Sequence, residues 1–162
     1  MAPCAPVRVE HGPISTDDVN PELVEYVVVA TPDVESLATL VPALAELVAD
    51  GRIHVLDLAA VTRSADGAVA VHEVETIEIL TGLCDIEGDV GGLLSNQDVT
   101  TAGQALRPGT AGLVTLIESR WAEPLAVAAR SAGGHIVGGE RIPVRWVAEA
   151  LVRRGDDDPE PA

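Results

Sequence analysis

The sequence predicts an α+β domain, specifically a ferredoxin-like sandwich: an antiparallel sheet with its helices on one face. Three observations predict it. Short β-branched runs alternate with longer stretches whose apolar residues recur at intervals of three and four. An Asp66-Gly67 dipeptide joins two of the runs, which signals a two-residue hairpin and so antiparallel pairing. Residues 26–56 and 113–137 also share one plan, namely strand, capped turn, amphipathic helix, glycine, strand. A doubly wound parallel α/β fold is the alternative, and the hairpin argues against it, because parallel strands need long crossovers.

The elements follow in order. Residues 1–22 mix proline, glycine and acidic residues without periodicity and read as a flexible segment, and the acidic, proline-containing residues 154–162 read as a disordered tail. A single domain over 23–153 lies between them. It opens with a β-branched run, Tyr26 to Ala30, which Thr31-Pro32 ends as helix cap and first-turn proline. Leu37, Leu40, Val41, Leu44, Leu47 and Val48 then mark one helical stripe, closed by Asp50-Gly51. Pro42 inside that stripe predicts a kink. Residues 52–63 form the next strand, and a two-residue Asp66-Gly67 turn would set Val61 opposite His72. A glycine-rich acidic loop runs from 80 to 96 before helical spacing resumes at Gln97 to Leu106. Arg107-Pro108-Gly109 ends that helix, and residues 110–118 are a strand. A helix then opens at Trp121, its stripe continuing through Leu125, Ala128 and Ala129. Residues 135–139 are predicted as a last strand, and a final helix starts at Pro143.

Composition excludes several function classes. The chain has 162 residues, a formal net charge of -16, and arginine for all 10 of its basic residues. Nucleic-acid binding draws its affinity from releasing counterions with a dense positive surface, so an acidic chain is expected to repel nucleic acid and anionic lipid. Two cysteines, Cys4 and Cys84, stand far apart without a CxxC spacing, which indicates neither a disulfide framework nor a zinc site. No basic segment precedes an apolar run at the start, and no apolar run is long enough to span a bilayer. The expectation is a cytoplasmic protein without membrane insertion.

The chemistry-bearing residues are sparse. Asp85, Glu87 and Asp89 alternate as a hard-cation loop would require, but a calcium loop needs glycine at its sixth position and glutamate at its twelfth, where Val90 and Asn96 stand. These three are the candidate metal ligands, weighed against a solvated acidic loop. On the hairpin, the expected register puts Asp57 opposite Thr76, too far from His72 to share an ion with it. His54 and His135 lack a second histidine or cysteine in ligand spacing. Catalysis by an activated serine or cysteine has no G-x-S-x-G, and Cys84 sits among acids that would raise its pKa. Arg107, Gly109 and Thr110 are the candidate ligand residues, a basic turn after a helix, with a plain turn as the competing reading. Trp121 and Trp146, rare large groups in a chain that is 2% aromatic, are expected to pack core or an interface.

Residues 105–144, with their "RPGT" turn and "ESRW" helix entry, and the preceding "IHVLDL" strand and Asp-Gly hairpin, resemble a short family of unknown function from high-GC bacterial genomes. The likeness covers roughly residues 22 to 152. Longer relatives carry a glycine-rich membrane hairpin where this chain has Ile77 to Asn96, a segment too short and too acidic for that role. The resemblance implies a fold and, by analogy alone, a link to stress. It transfers no catalytic residue and no cofactor.

The strands at 27–30, 56–61 and 113–117 are apolar on both alternations, more than one helical layer covers. The expected function is therefore a non-catalytic scaffold or interaction module that forms homo-oligomers through the bare sheet face. The alternative is a small-ligand or metal-binding protein using the acidic loop 82–94.

Overall fold

The computed structural model describes residues 19–83, 92–139 and 144–156. The four β-branched runs become strands: β1, Val24–Thr31; β2, His54–Arg63; β3, Val69–His72; and β4, Thr110–Glu118. They form one sheet in the order β1-β4-β2-β3, and each neighbouring pair is antiparallel. The α+β class and the antiparallel sheet therefore hold. The strand order differs from the ferredoxin-like one, where the first and third strands lie inside; here β4 and β2 are central, and β1 and β3 are the edges.

Five α-helices accompany the sheet among the described residues: α1, Val34–Leu37; α2, Leu40–Ala49; α3, Asn96–Ala105; α4, Glu123–Ser131; and α5, Val144–Asp156. The kink expected at Pro42 is a full break between α1 and α2. Pro42 would collide with the carbonyl of Ala38 four residues earlier, and the chain there turns through tighter bonds from Ala38 N–H to Glu35 O and from Thr39 N–H to Ser36 O. Asp33 caps α1 in place of Thr31, its carboxylate accepting from the Ser36 N–H at 2.8 Å.

The sheet is covered on both faces, which corrects the expectation of helices on one face. On the first face Leu37, Leu40, Val41 and Leu44 of α1 and α2 pack with Val55, Leu58, Ala60, Ala111 and Leu113. The alternate residues Val61 and Val114 point to the second face and pack under Val99 and Ala102 of α3 and Leu106 just after it. Strands apolar on both alternations need two covering layers, and this chain supplies the second itself.

Two further readings change. The hairpin pairs His72 with Ala60 and Val71 with Val61, one residue off the expected register. Asp66 does not adopt the positive φ that the two-residue turn demands; only Gly67 does, at 91°, and Ser64 O accepts from the Gly67 N–H. The result is a three-residue loop with a glycine bulge, and it turns every side chain of β3 over. Residues 135–139 form no strand. Of these only Ile136 joins an apolar cluster, with Leu23, Ala122 and Ala126, and the glycines on either side leave little else to bury.

Candidate functional site

Helix α3 owes its place on the second face to residues at both of its ends. Ser95 accepts from the Asp98 N–H at 3.1 Å, and the Asp98 carboxylate accepts from the Ser95 N–H at 3.2 Å, a reciprocal cap. Just before the cap, Asp57 of β2 reaches across: its buried carboxylate accepts from the Leu94 N–H at 2.6 Å and from the Leu58 N–H at 2.9 Å. A bulge between Val55 and Asp57 turns Asp57 to this face. At the other end the Arg63 guanidinium donates to the carbonyls of Gln104 and Leu106 at 2.7 and 2.6 Å, stabilising the negative end of the helix.

So held, α3 lies over β2 and β3 and leaves β1 uncovered. Between them runs an apolar groove of about 730 Å³, lined by Tyr26, Val28 and Ala30 of β1, Leu116 of β4, Leu93 and Leu94, the α3 residues Asp98, Thr101, Ala102 and Ala105, and Leu106 after the helix. Tyr26 is 44% exposed and Leu93 51% exposed. The Tyr26 hydroxyl donates to the Asp98 carbonyl at 3.3 Å. Burial, and secondarily the Asp98 charge, push its phenol above the ordinary 10.0. The groove can take an apolar side chain or ligand and offers few polar groups to direct chemistry.

A charged cluster closes the far end of the sheet. Glu118, 4% exposed, accepts from the Asn20 N–H at 2.8 Å and from Arg120 Nε at 3.0 Å, and His54 Nδ1 stands 3.4 Å from it. Burial is the largest single influence on this carboxyl and raises its pKa. The Asn20 N–H, Arg120 and His54 together outweigh burial and hold it below the ordinary 4.5. Both carboxylate oxygens are engaged, so the cluster fastens the chain before β1 to the ends of β2 and β4. His54 of β2 pairs with Glu118 of β4 in the sheet register.

The residues singled out from sequence are scattered. The Gly109 N–H is given to Arg63 O of β2 at 2.7 Å, and the Thr110 hydroxyl to Arg107 O at 2.7 Å, so these two donors are already engaged by the chain's own carbonyls. Asp57 and His72 face opposite sides of the sheet, Asp57 toward Leu94 and His72 toward Thr62, its Nε2 3.0 Å from the Thr62 hydroxyl. Asp85, Glu87 and Asp89 lie outside the described residues, and among those described no group of three or more His, Cys, Asp or Glu could hold a metal ion. Trp121 is 69% exposed and Trp146 54% exposed, so neither is core. The α4 stripe is inverted: Ala122 and Ala126 are buried and Leu125 is exposed, because small residues let this short helix lie close against Leu23.

Asp57, Arg63 and the Ser95–Asp98 cap organise the site, and none was read from sequence as doing so. The cap had a local signal, Ser-x-x-Asp before a helical pattern. Asp57 and Arg63 act on partners 37 and 41 to 43 residues away, and no spacing rule reaches that far.

Fold and site together define a small α+β protein whose antiparallel sheet is clothed on both faces and whose second face keeps an open apolar groove beside β1. Among the described residues no helix is long and apolar enough to cross a membrane. The chain belongs to a family of unknown function, DUF6325, whose domain covers residues 22–154. No curated protein and no solved structure matches it.

Proposed function

We propose that the protein is a non-catalytic interaction module that works as a homo-oligomer, associating through the second face of its sheet. One observation carries this reading: the groove between α3 and β1 leaves Tyr26, Val28 and Leu93 in water although they line one continuous apolar surface. An exposed apolar strip on a folded domain costs solubility unless a partner covers it. The exposed Trp121 and Trp146 fit the same reading, since tryptophan is enriched where interfaces bury large side chains. The net charge of -16 favours a protein partner over nucleic acid.

A second reading is a small apolar ligand in the same groove, favoured by a volume within the range of ligand pockets. Native mass spectrometry of the purified chain separates the two. Dimers or larger assemblies of bare chains support the interaction module, whereas a monomer carrying added mass supports the ligand. A bare monomer at all concentrations refutes self-association, and a thermal-shift panel of apolar metabolites then tests the ligand alone.

A further inference from the structure

His54, Glu118 and Arg120 meet at the end of the sheet in a geometry that admits two mutually exclusive proton arrangements. Arg120 offers one edge of its guanidinium to two acceptors: Nε donates to Glu118 Oε2 at 3.0 Å, and Nη2 lies 3.2 Å from His54 Nδ1. The same Nδ1 is 3.4 Å from Glu118 Oε2. A bare Nδ1 accepts from Arg120 and has no proton for the carboxylate, whereas a protonated Nδ1 donates to Glu118 and has no lone pair for Arg120. One ring nitrogen therefore serves either neighbour and never both.

We propose that His54 is a proton-operated switch for Arg120. With the imidazole neutral, Nε2 carries its proton and Arg120 bridges Glu118 and His54. When a proton from solvent binds at Nδ1, the new N–H turns to Glu118 Oε2. The imidazolium is then a cation 3.2 Å from a second cation, and the repulsion moves the Arg120 guanidinium off the ring into water. The switch needs no second copy of the chain.

Three observations support it. Exposure rises in the order the switch requires: the Glu118 side chain is 5% exposed, His54 22% and Arg120 44%, so the carboxylate is fixed, the imidazole reaches solvent protons and the guanidinium has water to move into. Glu118 also stays charged, because its donors hold its pKa below the ordinary 4.5, so it accepts throughout the range in which an imidazole gains its proton, about pH 5 to 8. Thirdly, the other charges of the cluster are engaged elsewhere. Glu123 of α4 accepts from Arg130 and from the Asn20 amide, Glu25 of β1 accepts from the Ser119 hydroxyl, and Arg52 is exposed. Among the described residues Glu118 of β4 and Arg120 just after it are the charged groups that meet the ring. Arg120 opens the turn into α4, next to the exposed Trp121, so mild acid adds one positive charge and frees another on this part of an otherwise acidic surface.

Nitrogen NMR of the isotopically labelled full-length chain tests this across about pH 5 to 8, following both ring nitrogens of His54 and the side-chain N–H resonances of Arg120. The wild type is expected to show a neutral ring with Nδ1 bare and Nε2 protonated, and Arg120 resonances that shift at the same pH as those of His54. Arg120→Ala, at a partly exposed position, is expected to invert the neutral tautomer, since Glu118 then draws the proton to Nδ1. His54→Gln, which takes up no proton, is expected to abolish the shift of Arg120. A wild-type neutral ring protonated at Nδ1 overturns the switch, and so do Arg120 resonances that stay still while His54 titrates. A tautomer unchanged in Arg120→Ala shows that the guanidinium does not set it, and an Arg120 shift that survives His54→Gln assigns the shift to another group; either result overturns the switch as well.

Discussion

A carboxylate removed from water is stable only if it finds donors, and Glu118 has a backbone N–H, a guanidinium and an imidazole around it. Its folded pKa lies below the unfolded value of about 4.5, so it contributes stability that is present above that value and lost as the pH falls through the lower folded one. Glu118→Gln is expected to lower stability near neutrality by about 1–3 kcal/mol, because Arg120 loses its buried counter-charge. The same substitution flattens the acid limb of stability measured by urea unfolding between neutrality and about pH 3. Tyr26 offers a second residue-scale test, since it is the only tyrosine in the chain. Its phenolate absorbance is expected to appear above pH 10.0 in the folded protein and to return to the ordinary value in denaturant. Coincident titrations would mean that the groove does not shield the ring.

At the scale of elements, the contact between α3 and the sheet is set by one glycine. A Cβ added at Gly103 would stand 2.5 Å from Val69 Cγ1 and 2.6 Å from Val61 Cγ2. Two effects oppose each other in Gly103→Ala: alanine gains about 1 kcal/mol of helix propensity, and overpacking costs about 1–3 kcal/mol. The clash should win, since both neighbours are β-branched and stiff at χ1, and neither can rotate away cheaply. The expected outcome is a net loss of stability in urea unfolding, and a gain would show that α3 rides more loosely on the sheet than its packing indicates. The break at Pro42 belongs to the same scale. It divides one amphipathic stripe into α1 and α2, both of which still pack on the first face.

For the whole molecule, the question is where the remaining apolar surface goes. Within one chain the first face is buried under α1 and α2, the second is partly buried under α3, and α5 adds an apolar stripe that none of these covers. If two copies associate through the second face, as proposed, folding and association are linked, and the melting temperature must rise with protein concentration. A rise in the wild-type protein is expected from calorimetry across a wide concentration range. A concentration-independent melt in the wild type would assign the stability to the monomer alone.

The alternation of β-branched runs and helical stripes determined, without any structure, the α+β class, the antiparallel sheet and nearly every element. These features depend on neighbours a few residues apart, and the hydrophobic period records them directly. The doubled apolar alternation of the central strands likewise announced that both sheet faces needed cover. Tertiary structure alone decided who supplies it. Asp57 reaches Leu94, and Arg63 reaches the end of α3, bonds between residues far apart in the chain that bring a helix to the second face. The hairpin register turned on whether Asp66 takes a positive φ, a choice between two close turn geometries that share the Asp-Gly dipeptide. The groove, too, is a product of position: α3 stops short of β1, and no residue of β1 carries a mark of that in its own sequence. Local periodicity encodes which residues are apolar, and only long-range packing decides which of them remain in water.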